Sequence, residues 1–273
     1  FKMDFDRIAV VTGGSRGIGK AVARELVECG YQVILIARSM KNLEAAKEEF
    51  MRAYSLSDKN SPELLTLDLL DEKKVTEAAE HIVSKYGRVD LLFNGAGISI
   101  PGTLEQDVET FDTLFAVNLR APFLLMKAII PLMVKQGGGR IINMASRNGK
   151  VAVSKLGGYS ASKFGLMGLD ESLYREFSSQ GISITTVCPG WVNTDMAAGE
   201  GGSMPPEKMI QPEDIAKTVR WLLSMTPSVR VMDVLLECAG DVEKRASVEL
   251  AKLYELRSRH REEFDSIIVD GSK

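Results

Sequence analysis

A tyrosine and a lysine four residues apart are the side chains in this sequence best suited to acid–base chemistry. Tyr159 and Lys163 lie in a segment with helical spacing, so both project from one face. A phenol has a pKa near 10, and an ammonium about 4 Å away at an effective dielectric of 20 lowers it by roughly 3 units at most. That shift moves Tyr159 towards neutrality, where a general acid or base works best. Taken alone, the spacing is more typical of an ordinary surface pair.

Ser146 is a third candidate, placed by the predicted sheet. It follows Arg140–Met144, an apolar run that is typical of a buried strand. Open parallel sheets bind their ligands at the carboxyl ends of the strands. We therefore expect Ser146 to lie at the ligand-binding edge, together with the tyrosine and the lysine.

A glycine-rich loop, Thr12–Gly19, follows the first predicted strand and opens the first predicted helix. Glycines permit a tight turn and close approach of the backbone, and a helix N-terminus offers free N–H groups to phosphate. The loop fits three patterns. These are the nucleophile elbow of α/β-hydrolases through Ser15, a phosphate-binding NTPase loop ending at Lys20, and a dinucleotide-binding loop.

The rest of the sequence distinguishes between these three patterns. A serine hydrolase needs a histidine after its serine and acid, but His81 comes in the wrong order and His260 lies in a charged tail. An NTPase loop needs Ser or Thr after the lysine to hold magnesium, and here Ala21 follows Lys20. The dinucleotide pattern lacks nothing, so the loop is predicted to bind a dinucleotide.

Short apolar runs alternate with helical patterns along the chain. Strands are predicted at 8–11, 32–37, 64–67, 89–93, 140–144, 183–187 and 229–237, and helices at 17–29, 41–52, 72–86, 109–135, 159–178 and 212–224. We expect the fourth helix to break near Arg120–Pro122. The alternation indicates a parallel sheet covered on both faces. We expect one domain over 1–240, extended over 241–273 by an amphipathic helical tail that packs on its own subunit.

Composition and charge narrow the class of protein. The 273 residues are 45% hydrophobic and carry a net charge of −3, which is typical of a globular protein and not of a nucleic-acid binder. The longest apolar stretch is interrupted by Lys127 and Pro131, so no membrane-spanning segment is expected. Three scattered cysteines and two histidines predict no disulfide and no metal site. They favour a reducing compartment, taken as the cytoplasm, with removal of an organellar targeting peptide left open.

Four motifs together point to one family. They occur in the order Thr12–Gly19, Asn94-Gly95-Ala96-Gly97, Tyr159-Ser160-Ala161-Ser162-Lys163 and Pro189-Gly190. In this arrangement the sequence resembles the short-chain dehydrogenase/reductase family over about residues 6–240. The resemblance implies an α/β fold of Rossmann type, with a doubly wound parallel sheet of seven strands.

The resemblance also implies a role for each candidate catalytic residue. Tyr159 protonates a carbonyl oxygen as hydride arrives from the nicotinamide, and Ser146 donates a hydrogen bond to that oxygen. Lys163 lowers the pKa of Tyr159 and holds the ribose hydroxyls. Asn118 matches the family asparagine that supports a proton-relay water. Without the motif, a helix-kink or capping role for Asn118 is equally open.

Cofactor contacts are expected along the carboxyl edge of the sheet. An acid at the end of the second strand would select NAD, but Arg38 follows Ala37 there. With Arg16, it can bind the 2′-phosphate of NADP by charge-assisted hydrogen bonds. NADP is therefore the expected cofactor. The expected contact residues are Gly13, Ser15, Arg16, Gly17, Ile18, Gly19, Arg38, Ser39, Asp68, Leu69, Asn94, Ala96, Tyr159, Lys163, Pro189, Gly190, Val192 and Thr194.

The chain departs from the family pattern in two places. The family usually has two asparagines after the fourth strand, where this chain has Asn94-Gly95, so local rigidity is expected to fall. The last strand is followed by Glu237-Cys238-Ala239-Gly240 and a charged tail, which puts the usual tetramer packing in question.

The leading interpretation is an NADP(H)-dependent carbonyl reductase or alcohol dehydrogenase for a small molecule with an apolar body. A non-catalytic NADP-binding regulatory protein and an α/β-hydrolase acting through Ser15 remain alternatives. Apolar residues on the helices at 109–135 and 159–178 exceed what one sheet face requires, which predicts a homodimer or homotetramer.

Overall fold

Seven parallel strands form the centre of the protein, which is described by a computed structural model over residues 5–199 and 204–243. The strands follow the order β3-β2-β1-β4-β5-β6-β7 across the sheet, and every pairing is parallel. Their bounds are β1 Arg7–Thr12, β2 Tyr31–Ala37, β3 Glu63–Thr66, β4 Leu91–Asn94, β5 Gly139–Met144, β6 Ile182–Pro189 and β7 Asp233–Leu236. This confirms the predicted fold class. The order reverses between β1 and β4, which is where doubly wound sheets bind ligands.

Helices cover both faces of the sheet. Their bounds are α1 Gly17–Glu28, α2 Met40–Tyr54, α3 Glu72–Tyr86, α4 Val108–Phe115, α5 Ala121–Lys135, α6 Gly157–Phe177, α7 Asp195–Gly199, α8 Pro212–Ser224 and α9 Ala239–Glu243. One core joins α1, α2 and α8 to alternate strand residues, such as Ala9 and Val11 of β1. The second core joins α3, α5 and α6 to the strand residues that point to the opposite face of the sheet, such as Val10 of β1. Both strand faces are buried, which explains the continuous apolar runs.

The predicted helix break near residue 120 is a π turn. Ala116–Arg120 continues α4 into α5 without interruption, with one residue more than an α-helical turn holds. Lys127 and Pro131 both lie on the exposed side of α5, and the helix continues through them to Lys135. By length and composition alone, the helical stretch Val108–Lys135 is sufficient to cross a membrane, and half of its most apolar window is buried within the fold. That no segment spans a membrane stays a prediction.

One further expectation differs from the structure, and it concerns the last strand of the sheet. The strand predicted at 229–237 is only the four residues of β7, because 229–232 joins β6 through isolated hydrogen bonds from Thr185 and Thr186. The tail helix predicted over 241–273 lies almost entirely outside the described residues. The proposed division at residue 240 stays a prediction.

Candidate active site

The glycine loop between β1 and α1 has a backbone that side chains would obstruct. Gly13 and Gly17 adopt left-handed conformations, with φ of 70° and 52°. A Cβ at Gly19 would lie 2.2 Å from the carbonyl oxygen of Gly13. Arg16 precedes the first helical residue, and no side chain caps the first turn of α1. The loop therefore forms a cradle of glycines and free N–H groups that fits the diphosphate of a dinucleotide.

A cleft of about 930 Å³ runs along the carboxyl edge of the sheet. The structure brings together in its lining all but two of the predicted site residues. Those lining it are Gly13, Ser15, Arg16, Gly17, Ile18, Gly19, Arg38, Ser39, Asp68, Leu69, Ala96, Ser146, Tyr159, Lys163, Pro189, Gly190, Val192 and Thr194.

The two exceptions are Asn94 and Asn118, both buried. The Asn94 side chain points into the sheet, where its Nδ2 donates to Asn143 Oδ1 at 2.7 Å. This amide joins β4 to β5, in keeping with the part in sheet packing that was predicted for it. The predicted contact of Asn94 with the cofactor stays a prediction.

Helix α6 presents Tyr159 and Lys163 to the cleft from the same face. The Lys163 Nζ lies 5.8 Å from the centre of the Tyr159 ring and donates to the Met144 carbonyl at 2.8 Å. Burial lowers the pKa of Lys163 to about 8, although the charge of Asp170 acts in the opposite direction. Ser146 comes two residues after β5, and its Oγ accepts a hydrogen bond from the Asn148 N–H at 3.1 Å.

Asn118 lies in the π turn, behind the tyrosine and lysine. Its Oδ1 accepts from the Ile98 N–H, and its Nδ2 donates to the Ile98 carbonyl, both at 2.9 Å. The same Nδ2 donates to Ser162 Oγ at 3.0 Å, and Ser162 donates to the Tyr159 carbonyl at 2.7 Å. A Cβ at Gly97 would lie 3.2 Å from Asn118 Oδ1 and 3.4 Å from Lys163 Nζ. The π turn thus places Asn118 beside both the β4 loop and the lysine.

The packing around residue 95 explains why this chain has a glycine there. A Cβ at this position would lie 2.4 Å from Cε1 of Phe93 and 2.9 Å from the Thr12 carbonyl oxygen. The Phe93 ring therefore fills the space that a second asparagine would need. Thr12 Oγ1 accepts from the Gly95 and Ala96 N–H groups, at 3.1 and 3.2 Å, and ties this loop to β1.

Sequence reasoning missed two pairings near the cleft. Arg16 Nη1 lies 2.9 Å from Asp195 Oδ2, and both residues line the cleft. This ion pair joins the glycine loop to the start of α7. Asp170 of α6 is buried and bonded to Asn143 and Thr186. The helical spacing of residues 159, 163, 166 and 170 was a usable signal for Asp170, whereas no local pattern pairs residues 16 and 195.

A glycine cradle at the switch point of a doubly wound sheet, beside a tyrosine–lysine pair, defines a dinucleotide-dependent oxidoreductase. The family model for short chain dehydrogenases matches residues 7–203, and the chain belongs to that family. A 3-oxoacyl-[acyl-carrier-protein] reductase from Haemophilus influenzae is 36% identical over 228 residues, covering 80% of this chain and 90% of the relative. A cyclohexanol dehydrogenase from Acinetobacter is 33% identical, covering 80% of this chain and 88% of the relative.

Solved structures agree with this assignment. A β-ketoacyl-[ACP] reductase from Bacteroides thetaiotaomicron is 40% identical, with a TM-score of 0.76, and the match covers 86% of this chain and 97% of that one. A metagenomic short-chain oxidoreductase in complex with NADP is 34% identical, with a TM-score of 0.74 and the same coverage. The protein is thus an NAD(P)-dependent oxidoreductase of the short-chain family, whose typical substrates are small molecules.

Proposed function

We propose that the protein is an NADP(H)-dependent carbonyl reductase in which Tyr159 is the general acid, assisted by Ser146, Lys163 and Asn118. The observation that carries the proposal is the buried ammonium of Lys163 beneath Tyr159, in a cleft that Ser146 also lines. Within the described residues, this is where an acid, a hydrogen-bond donor and a glycine cradle share one cavity.

The proton chemistry follows from the contacts of these side chains. Ser146 Oγ accepts from the Asn148 N–H, so its own hydrogen is available to a substrate carbonyl oxygen. The Lys163 ammonium donates to the Met144 carbonyl and is held in place by it. Its positive charge favours transfer of the Tyr159 proton to the carbonyl oxygen of the substrate. Asn118 fixes the backbone of Ile98 and the hydroxyl of Ser162 behind the tyrosine. When bound, the nicotinamide supplies the hydride.

The preference for NADP rests on two arginines at the adenosine end of the cleft. Arg38 is exposed at the end of β2, where an acid would select NAD. Arg16 is mostly exposed and bound to Asp195, so a 2′-phosphate would compete with a carboxylate for it. The NADP complex of the metagenomic relative supports the same choice.

The substrate end of the cleft favours an apolar carbonyl compound. Five apolar side chains line this part of the cleft, namely Ile98, Val153, Leu156, Trp191 and Met196. The named activities of the relatives, on 3-oxoacyl groups and cyclohexanol, fit such a lining.

Association of copies is part of the proposal. Phe111, Phe123 and Phe164 are each at least 40% exposed on α4, α5 and α6. Exposed aromatic residues on neighbouring helices mark interfaces. We infer a homodimer or homotetramer, and a cytoplasmic location stays a prediction.

The test measures NADPH and NADH oxidation across a panel of 3-oxoacyl thioesters, steroids, sugars and quinones. Arg38→Ala should raise the Michaelis constant for NADPH about ten- to a hundredfold, since a charge-assisted hydrogen bond contributes about 1.5–3 kcal/mol. The constant for NADH should change little. Arg52→Ala, on the exposed side of α2, is the matched control and should change neither.

Three outcomes would contradict parts of the proposal. Equal use of NADPH and NADH by the wild-type protein would refute the cofactor preference. NADPH binding without turnover across the whole panel would favour the regulatory alternative. Covalent labelling of Ser15 by a serine-reactive probe would favour the hydrolase.

A further inference from the structure

A chain of buried polar side chains crosses the sheet beneath the cleft, with Asp170 at its centre. Asp170 is only 3% exposed. Its Oδ1 accepts from Asn143 Nδ2 at 2.6 Å, and its Oδ2 accepts from Thr186 Oγ1 at 2.7 Å. Asn143 Oδ1 in turn accepts from Asn94 Nδ2 at 2.7 Å. The chain of hydrogen bonds therefore joins α6 to β4, β5 and β6.

Each member of this chain stands shortly before a part of the active site. Asn94 ends β4 just before the loop that contacts Lys163 through Gly97. Asn143 precedes Ser146 by three residues, and Thr186 precedes the Pro189-Gly190 turn by three. Asp170 itself follows Lys163 by seven residues, two helical turns along the same face. A single carboxyl group thus connects the elements that carry the site.

An amide at this position could keep both contacts, because its oxygen can accept from Asn143 and its nitrogen can donate to the Thr186 hydroxyl. The distinctive property of Asp170 is therefore its charge. Burial raises the pKa of Asp170 to about 7, while Thr186, Asn143 and Lys163 favour its ionised form. In return, the Asp170 charge raises the pKa of Lys163 against the effect of burial. Between about pH 7 and about pH 8 the two groups therefore act as a buried pair of opposite charge.

The other groups facing Asp170 carry no charge in that pH range. Cys188 of β6 interacts with both members of the pair, and burial raises the pKa of its thiol to about 11. From β4, β5 and α5 the network presents Asn94, Asn143 and Met126, which do not titrate. The effect of Asp170 therefore acts on Lys163 and, through it, on Tyr159.

We propose that Asp170 is a positioning residue whose negative charge keeps Lys163 in its ammonium form and thereby sets the pH range of proton transfer at Tyr159. The inference rests on the roles proposed above for Tyr159 and Lys163. It adds to Tyr159, Ser146, Lys163 and Asn118 a fifth side chain, which does not line the cleft.

The experiment compares the pH profile of carbonyl reduction in wild type and Asp170→Asn. Losing the negative charge makes deprotonation of Lys163 easier, so the alkaline fall in rate that follows loss of its ammonium form must move to lower pH. Seven helical residues span about 10 Å, and at an effective dielectric of 20 the expected shift is about one pH unit. At pH 6.5 the turnover number should fall less than about threefold, because the amide can still accept from Asn143 and can donate to the Thr186 hydroxyl.

Two further variants separate charge from structure. Glu171→Gln removes the same charge one residue along α6, at an exposed site paired with Arg175, and should leave the profile unmoved. Thr186→Val keeps every formal charge and nearly the same shape, but removes the hydroxyl that donates to Asp170. Thr186→Val should move the pH–rate profile in the same direction as Asp170→Asn but by a smaller amount, because the Thr186 hydrogen bond favours the ionised form of Asp170. If Asp170→Asn does not fold, Thr186→Val serves as the test variant.

A second readout does not depend on turnover. The ultraviolet absorbance change of phenol ionisation, taken as the difference between each protein and its Tyr159→Phe counterpart, follows Tyr159 alone. We expect this titration to move to higher pH in Asp170→Asn, because Lys163 then loses its ammonium form at lower pH and no longer favours ionisation of Tyr159. If wild type reduces no carbonyl, the proposed function fails and this titration still decides the role of Asp170. A lower melting temperature with an unmoved titration and an unmoved rate profile would overturn the inference.

Discussion

Removing the hydroxyl group of Tyr159 tests the proposed mechanism most directly. Tyr159→Phe removes one oxygen from a side chain that is 9% exposed and leaves the ring that packs beside Lys163. Because the ring keeps its place, the fold and the lysine contact to Met144 should persist. If Tyr159 supplies the proton, turnover should fall by about two to four orders of magnitude, the usual contribution of a general acid. That corresponds to about 2.7–5.5 kcal/mol of transition-state stabilisation.

Cofactor binding separates this role from a packing role. The glycine cradle and the two arginines lie apart from Tyr159, so NADPH affinity should stay within about threefold of wild type. Lys163→Ala should damage both turnover and affinity, because that side chain is assigned to the tyrosine and the ribose. Tyr174→Phe, on the same helix but not lining the cleft, is the control and should keep full activity.

The assay measures single-turnover NADPH oxidation and, separately, NADPH binding by fluorescence. Retention of more than about a tenth of the activity by Tyr159→Phe would refute the mechanism, since a general acid contributes far more. A change confined to the melting temperature would show that the tyrosine only packs.

Two further predictions concern the cradle and the surface. Gly19→Ala should weaken NADPH binding more than tenfold in a fluorescence titration, because its Cβ would collide with the Gly13 carbonyl. Gly168→Ala, where nothing lies within 4 Å, should bind normally and raise stability by up to about 1 kcal/mol, as measured by chemical unfolding. Light scattering at micromolar concentration should give the mass of a dimer or larger, and Phe164→Glu should lower it; a monomeric wild type would contradict the interface on α4, α5 and α6.

The sequence was sufficient for those features that depend on local periodicity. Apolar runs such as Tyr31–Ala37 predicted strands because both of their faces are buried, and the positions of Tyr159 and Lys163 followed from helical spacing. The glycine loop was equally predictable, since its backbone excludes other residues.

What escaped prediction depends on contacts between distant residues. Asn94 was expected at the cofactor because its motif suggests it, but the direction of its amide is set by Asn143, 49 residues away. The Arg16–Asp195 pair joins residues 179 apart. The predicted break at Arg120–Pro122 was wrong in kind, because a π turn keeps the helix continuous where a proline near a helix start suggests an interruption.

The π turn also determines where this chain can change its length. Removing one residue from Ala116–Arg120 would convert the π turn into ordinary α-helix and leave α4 and α5 nearly in phase. Removing one residue from within α5 would instead rotate all later side chains by about 100° and turn Ile129 and Met133 away from the sheet. A deletion in this turn would therefore keep the rest of α5 against the sheet, although it would displace the buried Ala116 and Val117. It would also remove Asn118 from its contacts with Ile98 and Ser162. A change in chain length at this point thus disturbs the candidate site more than the packing of α5.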